Sequence, residues 1–571
     1  MLRALLKQSA VLCTVALLGA VIAFLQYEHW PPGQHLMGSG WDSGIFAYCG
    51  HVLAETHRLY AYCTDNKPPG IFLLNALASL VAHDSKDWRA IWGFTWLAQT
   101  LAWVGVGVLA SHGGKSRYGW LVAGVGAVST FQVLDGAATV EMFSLPMQVV
   151  VAWAAYHLLA RPNVRTVPVA ILGGLAIGGL FAMRTNNVAS GILIAGVCLL
   201  ALVRGQRMHA AMIVLGGVVG TAASVFVTLY FSGGVEAFRG AMEFTLAQGV
   251  NYLGTNRESR LVAAASNLVW AASLFVSFFG VIMLERAAMA RREEPPMRLA
   301  VPTPLSSLRV AARDPWVLLL AVWLLFEIAF STASARRYPH YAQMLLVPIA
   351  IFLGELLSVR AHQLTRTVRS ETEDNDGWGS FARTLLVVGG CVLAVLPNAR
   401  AQTQLYSEGV RERIYARRIA DTLALSGASR DGVFLWGAPP AIYLFLGNAA
   451  PVRHIAPLTL ATPGFSRPEY FTETISCLAG SAPAYIVDTF DRSQIGLNRG
   501  DIPSPTLEET AGFVALRAFI KRHYEFDRHF VSNRTALWRR TSSIVGMRDS
   551  SGVAARDCRP RPNTWSLHAQ Q

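Results

Sequence analysis

Long apolar runs separated by short polar corners recur from residue 8 to residue 397, and the pattern then stops. As a helix, a run of roughly 17 to 25 apolar residues crosses about 30 Å of hydrocarbon. Eleven stretches reach or approach that length: 8–26, 88–110, 119–134, 142–160, 167–183, 189–203, 209–231, 262–284, 315–333, 341–358 and 380–397. Those at 119–134, 167–183 and 189–203 are short. The apolar segment Gly70–Ala82 has only about 13 residues, which suits a helix lying in the interface better than one that spans. Beyond Asn398 the pattern predicts alternating elements: a helix over Gln402–Leu425, a strand at Val433–Trp436, a helix at Ala441–Leu446 and a strand at Ala484–Val487. A helix over Leu507–Arg522 follows, then strands near Phe530 and Leu537. The expected architecture is a polytopic α-helical membrane domain over 1–397, including a first external loop at 27–87, and a small extracytoplasmic α/β domain over 398–571.

Composition agrees. Of 571 residues 53% are hydrophobic and 15% charged, and so much apolar surface needs lipid around it. Charge then sets orientation, because cytoplasmic loops collect Lys and Arg. With the N-terminus inside, the inner corners hold Arg3 and Lys7, Lys115 and Arg117, Arg161 and Arg165, Arg204 and Arg207, the arginine-rich 285–315 linker, and Arg360, Arg366 and Arg369. The same alternation places Asp42, Lys67, Asp135, Glu141, Arg184, the 232–260 loop and Arg336–His340 on the outer face. Gln26–His29 offers no small-x-small cleavage site, so the first segment is expected to stay as an anchor. Outside the apolar runs lie Cys49, Cys63, Cys477 and Cys558; an oxidising exterior would allow two pairs, although spacing alone establishes neither.

The candidate chemistry gathers in the first loop. Trp41–Gly70 places Asp42 after a Gly-Ser-Gly-Trp turn, adds Phe46, Tyr48, Tyr60 and Tyr62, and ends on Lys67 before Pro68-Pro69. Tyr60–Pro69 (YAYCTDNKPP) and Arg336-Arg337-Tyr338-Pro339-His340-Tyr341 resemble the GT-C class of membrane glycosyltransferases, specifically the protein O-mannosyltransferase and aminoarabinose-transferase-like superfamily. Thr139-Val140-Glu141 and Arg184 are similar to further acidic and basic positions of that superfamily, and Val433–Gly437 with Tyr443 is like the tails of its bacterial members. Where many members carry a second acid directly after the first Asp, this chain has Ser43.

The resemblance implies a sugar donor linked through phosphate to a polyprenol, and transfer of a hexose or pentose to a hydroxyl of a cell-envelope acceptor at the outer face of the inner (plasma) membrane. Such a donor leaves as a stabilised phosphate, so one carboxylate suffices as general base in an inverting attack. Asp42 is the expected base, with Glu141 the second catalytic carboxylate. Lys67, Arg184, Arg336, Arg337, Tyr338 and His340 are expected to bind substrate, the cations among them meeting the departing charge. Blander roles exist for each: Asp42 as a helix-start cap, Glu141 as a solvated loop carboxylate, Arg184 as a snorkelling side chain.

A divalent cation held by Asp42 and Glu141 would have only two carboxylates, so no cofactor is expected. Gly113-Gly114-Lys115-Ser116 is no phosphate-binding loop, since Leu109 stands where its first glycine belongs, and no nucleic-acid partner is expected. A transporter or flippase for a lipid-linked or anionic substrate is the alternative. It predicts internal repeats and midplane charges, whereas here no repeat is visible and the charges collect on one face.

Overall fold

The structure is a computed structural model of the chain. It describes residues 14–24, 41–82, 89–110, 117–133, 138–160, 166–247, 259–267, 271, 314–333, 339–368, 415–428, 432–455, 460, 467–489, 497, 511–531, 535–541 and 558. Two compact units divide it. The first takes 1–31, 93–225 and 258–406; the second takes 32–92, 226–257 and 407–571.

Unit 1 is helical. Among the described residues five helices are long and apolar enough to cross a membrane: Arg89–Ala110, Val140–Ala160, Thr166–Met183, Thr185–Val203 and Arg207–Phe231. Shorter apolar helices lie at Thr14–Phe24, Pro315–Ser331 and Gln343–Glu355, with another, Gly70–Ala82, in unit 2, and Arg117–Val133 forms a further helix of 17 residues. Six of the expected spans, 88–110, 119–134, 142–160, 167–183, 209–231 and 315–333, therefore coincide with helices that begin and end within a few residues of them. Thr14–Phe24 covers the described part of 8–26, the helix that starts at Gln343 runs past the end of 341–358 to Val368, and the span expected at 189–203 gains a preceding 3-10 turn, Thr185–Ser190. The segment 380–397 lies outside the described residues, as does most of 262–284.

Local chemistry sets several of these helix ends. Asp314 caps the helix Pro315–Ser331 by accepting from the Trp316 amide at 2.8 Å, with Pro315 in the first turn, where no intrahelical donor is needed. Thr166–Met183 and Arg207–Phe231 approach closely because each carries paired glycines four apart. A Cβ at Gly174 would meet the Gly217 carbonyl, and one at Gly178 would stand 2.7 Å from the Thr221 carbonyl. That is the small-residue packing by which membrane helices gain contact without a hydrophobic drive. On Arg207–Phe231 the side chains Val214, Leu215, Val218 and Val219 stay exposed, the surface expected of a helix facing lipid.

Unit 2 combines the first loop with the tail. A four-stranded sheet of β1 (Val433–Trp436), β2 (Tyr485–Thr489), β3 (Tyr524–His529) and β4 (Thr535–Arg540) runs in the order β1-β2-β4-β3. β1 and β2 are parallel, with Val433 opposite Tyr485; β4 runs antiparallel to both β2 and β3. The strand Val433–Trp436 and the helix Ala441–Leu446 match the sequence pattern residue for residue. The pattern did not predict the helix Pro468–Ser481, which Pro468 opens at its first turn and which buries Tyr470, Phe471, Thr474, Cys477 and Leu478 on one face. From the first loop, the helix Trp41–Thr56 packs on Gly70–Ala82, where a Cβ at Gly50 would meet Asn75. It also meets the tail: the Tyr48 ring lies 5.4 Å from Tyr443, and the Tyr48 hydroxyl accepts from the Ala450 amide at 2.7 Å.

Candidate active site

Unit 2 holds the first cluster. Asp42 falls in the first turn of the helix Trp41–Thr56, where exposed amides favour a carboxylate. Pro68 and Pro69 end the extended stretch and launch Gly70–Ala82, leaving Lys67 at the mouth of that helix. Lys67 Nζ lies 3.5 Å from Asp42 Oδ2, 3.6 Å from Asp65 Oδ1 and 4.9 Å from the centre of the Phe46 ring. Its own carbonyl accepts from the Tyr60 hydroxyl at 2.9 Å. The three charges differ in access: the Asp42 side chain is 42% exposed, Lys67 14% and Asp65 5%. Burial pushes the Asp65 carboxyl above its usual range; the Lys67 ammonium pulls it down and the Asp42 charge pushes it further up.

Two disulfides brace the unit. Cys49 in the helix joins Cys63 beside Thr64, with Cα atoms 5.5 Å apart, and Cys477 joins Cys558 at the same Cα separation. Both pairs that the sequence allowed are thus formed. Part of the expected outer loop is packed helix, Val235–Gly240 and Ala241–Ala247, in which Phe244 is fully buried and Glu236 pairs with Arg58.

Unit 1 holds the second cluster. Glu141 stands in the first turn of Val140–Ala160, and Arg184 directly follows Thr166–Met183. They form an ion pair, Glu141 being almost wholly buried and Arg184 nearly so. The Arg184 guanidinium stacks over the Tyr341 ring at 4.2 Å. Asn187 donates to the Ser144 hydroxyl at 2.8 Å, and Thr139 donates to Gln343 Oε1 at 3.1 Å. Neither the solvated reading of Glu141 nor the snorkelling reading of Arg184 fits a buried, mutually bonded pair. Arg336, Arg337, Tyr338 and Asp135 lie outside the described residues. Of His340 only the backbone is described, in the short 3-10 helix Pro339–Ala342. Among the described residues no three His, Cys, Asp or Glu side chains gather as metal ligands.

No family model matches the chain, and no curated protein matches it. Solved structures do. The crystal structure of ArnT from Cupriavidus metallidurans bound to undecaprenyl phosphate superposes with a TM-score of 0.57 at 14% identity, over 93% of this chain and 99% of that one. The same protein in the apo state gives 0.53 at 15% identity, over 94% and 99%. The fold is GT-C.

Within the GT-C fold, the residue that the sequence reading missed is Asp65. A carboxylate two positions before Lys67 in the same polar run was the available signal, but only burial beside the ammonium separates it from an ordinary loop acid. The cluster can hold one cation against two carboxylates of unequal access, so an incoming anion competes with Asp42 more readily than with Asp65.

Proposed function

We propose that the protein is an integral-membrane inverting glycosyltransferase that moves a sugar from a polyprenyl-phosphate donor to a hydroxyl of a cell-envelope lipid, glycan or protein on the extracytoplasmic face. The observation that carries this reading is Lys67 held between an accessible Asp42 and a buried Asp65 beside an aromatic floor. The GT-C fold supports it, as does the undecaprenyl phosphate bound by the ArnT of similar fold. The transporter alternative finds no such support.

In this mechanism the donor phosphate takes the place of Asp42 as the outer partner of Lys67, and the released carboxylate faces the acceptor hydroxyl. The acceptor oxygen attacks the anomeric carbon as the C–O bond to phosphate breaks. The bonding pair leaves on the phosphate, whose charge Lys67 meets, and the hydroxyl proton passes to Asp42. Asp65 is too enclosed to reach the acceptor and serves to fix the ammonium. For Glu141, Arg184, Arg336, Arg337, Tyr338 and His340 the proposed catalytic or substrate-binding roles rest on the sequence resemblance. The basic corners support a cytoplasmic N-terminus and an extracytoplasmic C-terminus.

The test is incubation of the purified chain with labelled polyprenyl-phosphate sugars and envelope acceptors, for the wild type and for Asp42→Asn. Transfer should fall at least a hundredfold in the variant, the lower range for loss of a general base. Retention of more than about a tenth of the wild-type rate would remove Asp42 from that role.

A further inference from the structure

Thr64, between disulfide-bonded Cys63 and buried Asp65, is gripped by residues almost 400 positions away. Its amide donates to the Arg453 carbonyl at 3.0 Å. Its hydroxyl lies 3.2 Å from the same carbonyl oxygen and 3.1 Å from His454 Nδ1. On its other side the His454 ring places Nε2 3.2 Å from Glu473 Oε2. A carboxylate only accepts, so Nε2 carries the proton and Nδ1 is free to accept from Thr64. Arg453 closes the circuit with a two-pronged bond to Glu473, Nε to Oε1 at 2.5 Å and Nη2 to Oε2 at 2.7 Å. Thr64, His454, Glu473 and Arg453 thus form a closed ring of hydrogen bonds, with the Thr64 and His454 side chains fully enclosed.

Nothing in the proposed chemistry uses these four residues directly, and enclosure keeps substrate from the Thr64 and His454 side chains, whereas those of Arg453 and Glu473 are 25% and 32% exposed. Thr64 is joined by its own peptide bond to Asp65–Lys67, the three-residue stretch that carries both charges, and Arg453, His454 and Glu473 hold Thr64. We propose that Thr64, Arg453, His454 and Glu473 are positioning residues that set Asp65 and Lys67 for sugar transfer, an inference that rests on the reading of that pair as part of the site. A two-pronged Arg–carboxylate bond is directional as well as strong, so it holds the imidazole, and through it Thr64, in one orientation. The disulfide at Cys63 and the Tyr60 bond to the Lys67 carbonyl restrain the same stretch from other sides.

The experiment compares the full-length wild type with Thr64→Val, which keeps shape but lacks the hydroxyl, and with Thr64→Ser, which restores it. Hydrogen exchange is read over 63–68 and over the sheet, and kcat and KM are read with labelled undecaprenyl-phosphate sugars. Thr64→Val should exchange about tenfold faster over 63–68, leave β1–β4 unchanged and lose about tenfold in kcat/KM for the donor, while Thr64→Ser recovers both. If Thr64→Val does not fold, Glu473→Gln serves in its place. Unchanged exchange over 63–68, exchange that rises equally in the sheet, or no recovery by Thr64→Ser overturns the inference. Faster exchange confined to 63–68 in a protein whose wild type transfers sugar from no donor overturns the functional reading instead and leaves the restraint standing.

Discussion

Lys67→Met removes the ammonium that sits 4.9 Å from the centre of the Phe46 ring and keeps an unbranched apolar side chain in its place. Two ion pairs disappear, at 3.5 Å to Asp42 and 3.6 Å to Asp65. At an effective dielectric near 20, a unit pair at that distance is worth about 4 to 5 kcal/mol before desolvation is counted. The two contacts differ in net value. Asp42 is 42% exposed, and solvent reduces its contact to at most about 1 kcal/mol. Asp65 is enclosed, and taking away the cation beside a buried carboxylate costs about 3 kcal/mol, the lower end for a broken buried pair. Burial already raises the Asp65 pKa, and Lys67 is the largest influence lowering it. A group whose folded pKa is raised weakens the fold as pH rises through that pKa, because ionisation is easier in the unfolded chain. Without Lys67 the weakening is deeper and extends to higher pH. Thermal unfolding of the detergent-solubilised chain between pH 5 and pH 8 should therefore show Lys67→Met losing stability toward pH 8 much more steeply than wild type, with Lys67→Met/Asp65→Asn regaining most of it. Parallel pH curves for Lys67→Met and wild type would refute the claim that the ammonium holds a buried charge.

Glu141→Gln puts a neutral amide against the largely buried Arg184 guanidinium and should cost about 2 to 4 kcal/mol in thermal unfolding, whereas Glu141→Gln with Arg184→Met should cost much less; equal losses for both would dismiss the pair as a stabilising unit. In the tail, burial raises the Glu473 carboxyl but hydrogen bonds and charge from His454 and Arg453 outweigh it and hold the group at about 2. Its contribution, about 3 kcal/mol, is present above about pH 4.5 and is lost on acidification toward pH 2. Glu473→Gln should flatten that acid limb, measured by tail hydrogen exchange from pH 5 downward. For orientation, a reporter active only outside the cytoplasm should work when fused after Gln571 and stay silent near Arg292; the reverse pattern would end the topology on which the outer-face chemistry depends.

Much of this molecule follows from solvent preference read along the chain. Apolar runs that need lipid specify six of the helices between Arg89 and Ser331 to within a few residues, because hydrocarbon leaves a backbone no alternative to its own hydrogen bonds. Val433–Trp436 and Ala441–Leu446 were equally legible, one as an apolar run before a Gly-Ala-Pro-Pro turn and one as the helix after it. Asp42, Lys67, Glu141 and Arg184 stood out as charges at the ends of apolar segments, where ionisable groups are costly. Pairing was a different matter. Glu141 meets Arg184 across 43 residues and Thr64 meets His454 across 390, and no local preference of either partner encodes those distances. The helix Pro468–Ser481 escaped notice because its buried face takes a tyrosine, a threonine and a disulfide cysteine as well as Phe471 and Leu478. Asp65 looked like any loop acid until the packed chain closed over it, since burial belongs to the assembled structure and only burial sets this carboxylate beside Lys67 apart from an ordinary loop acid.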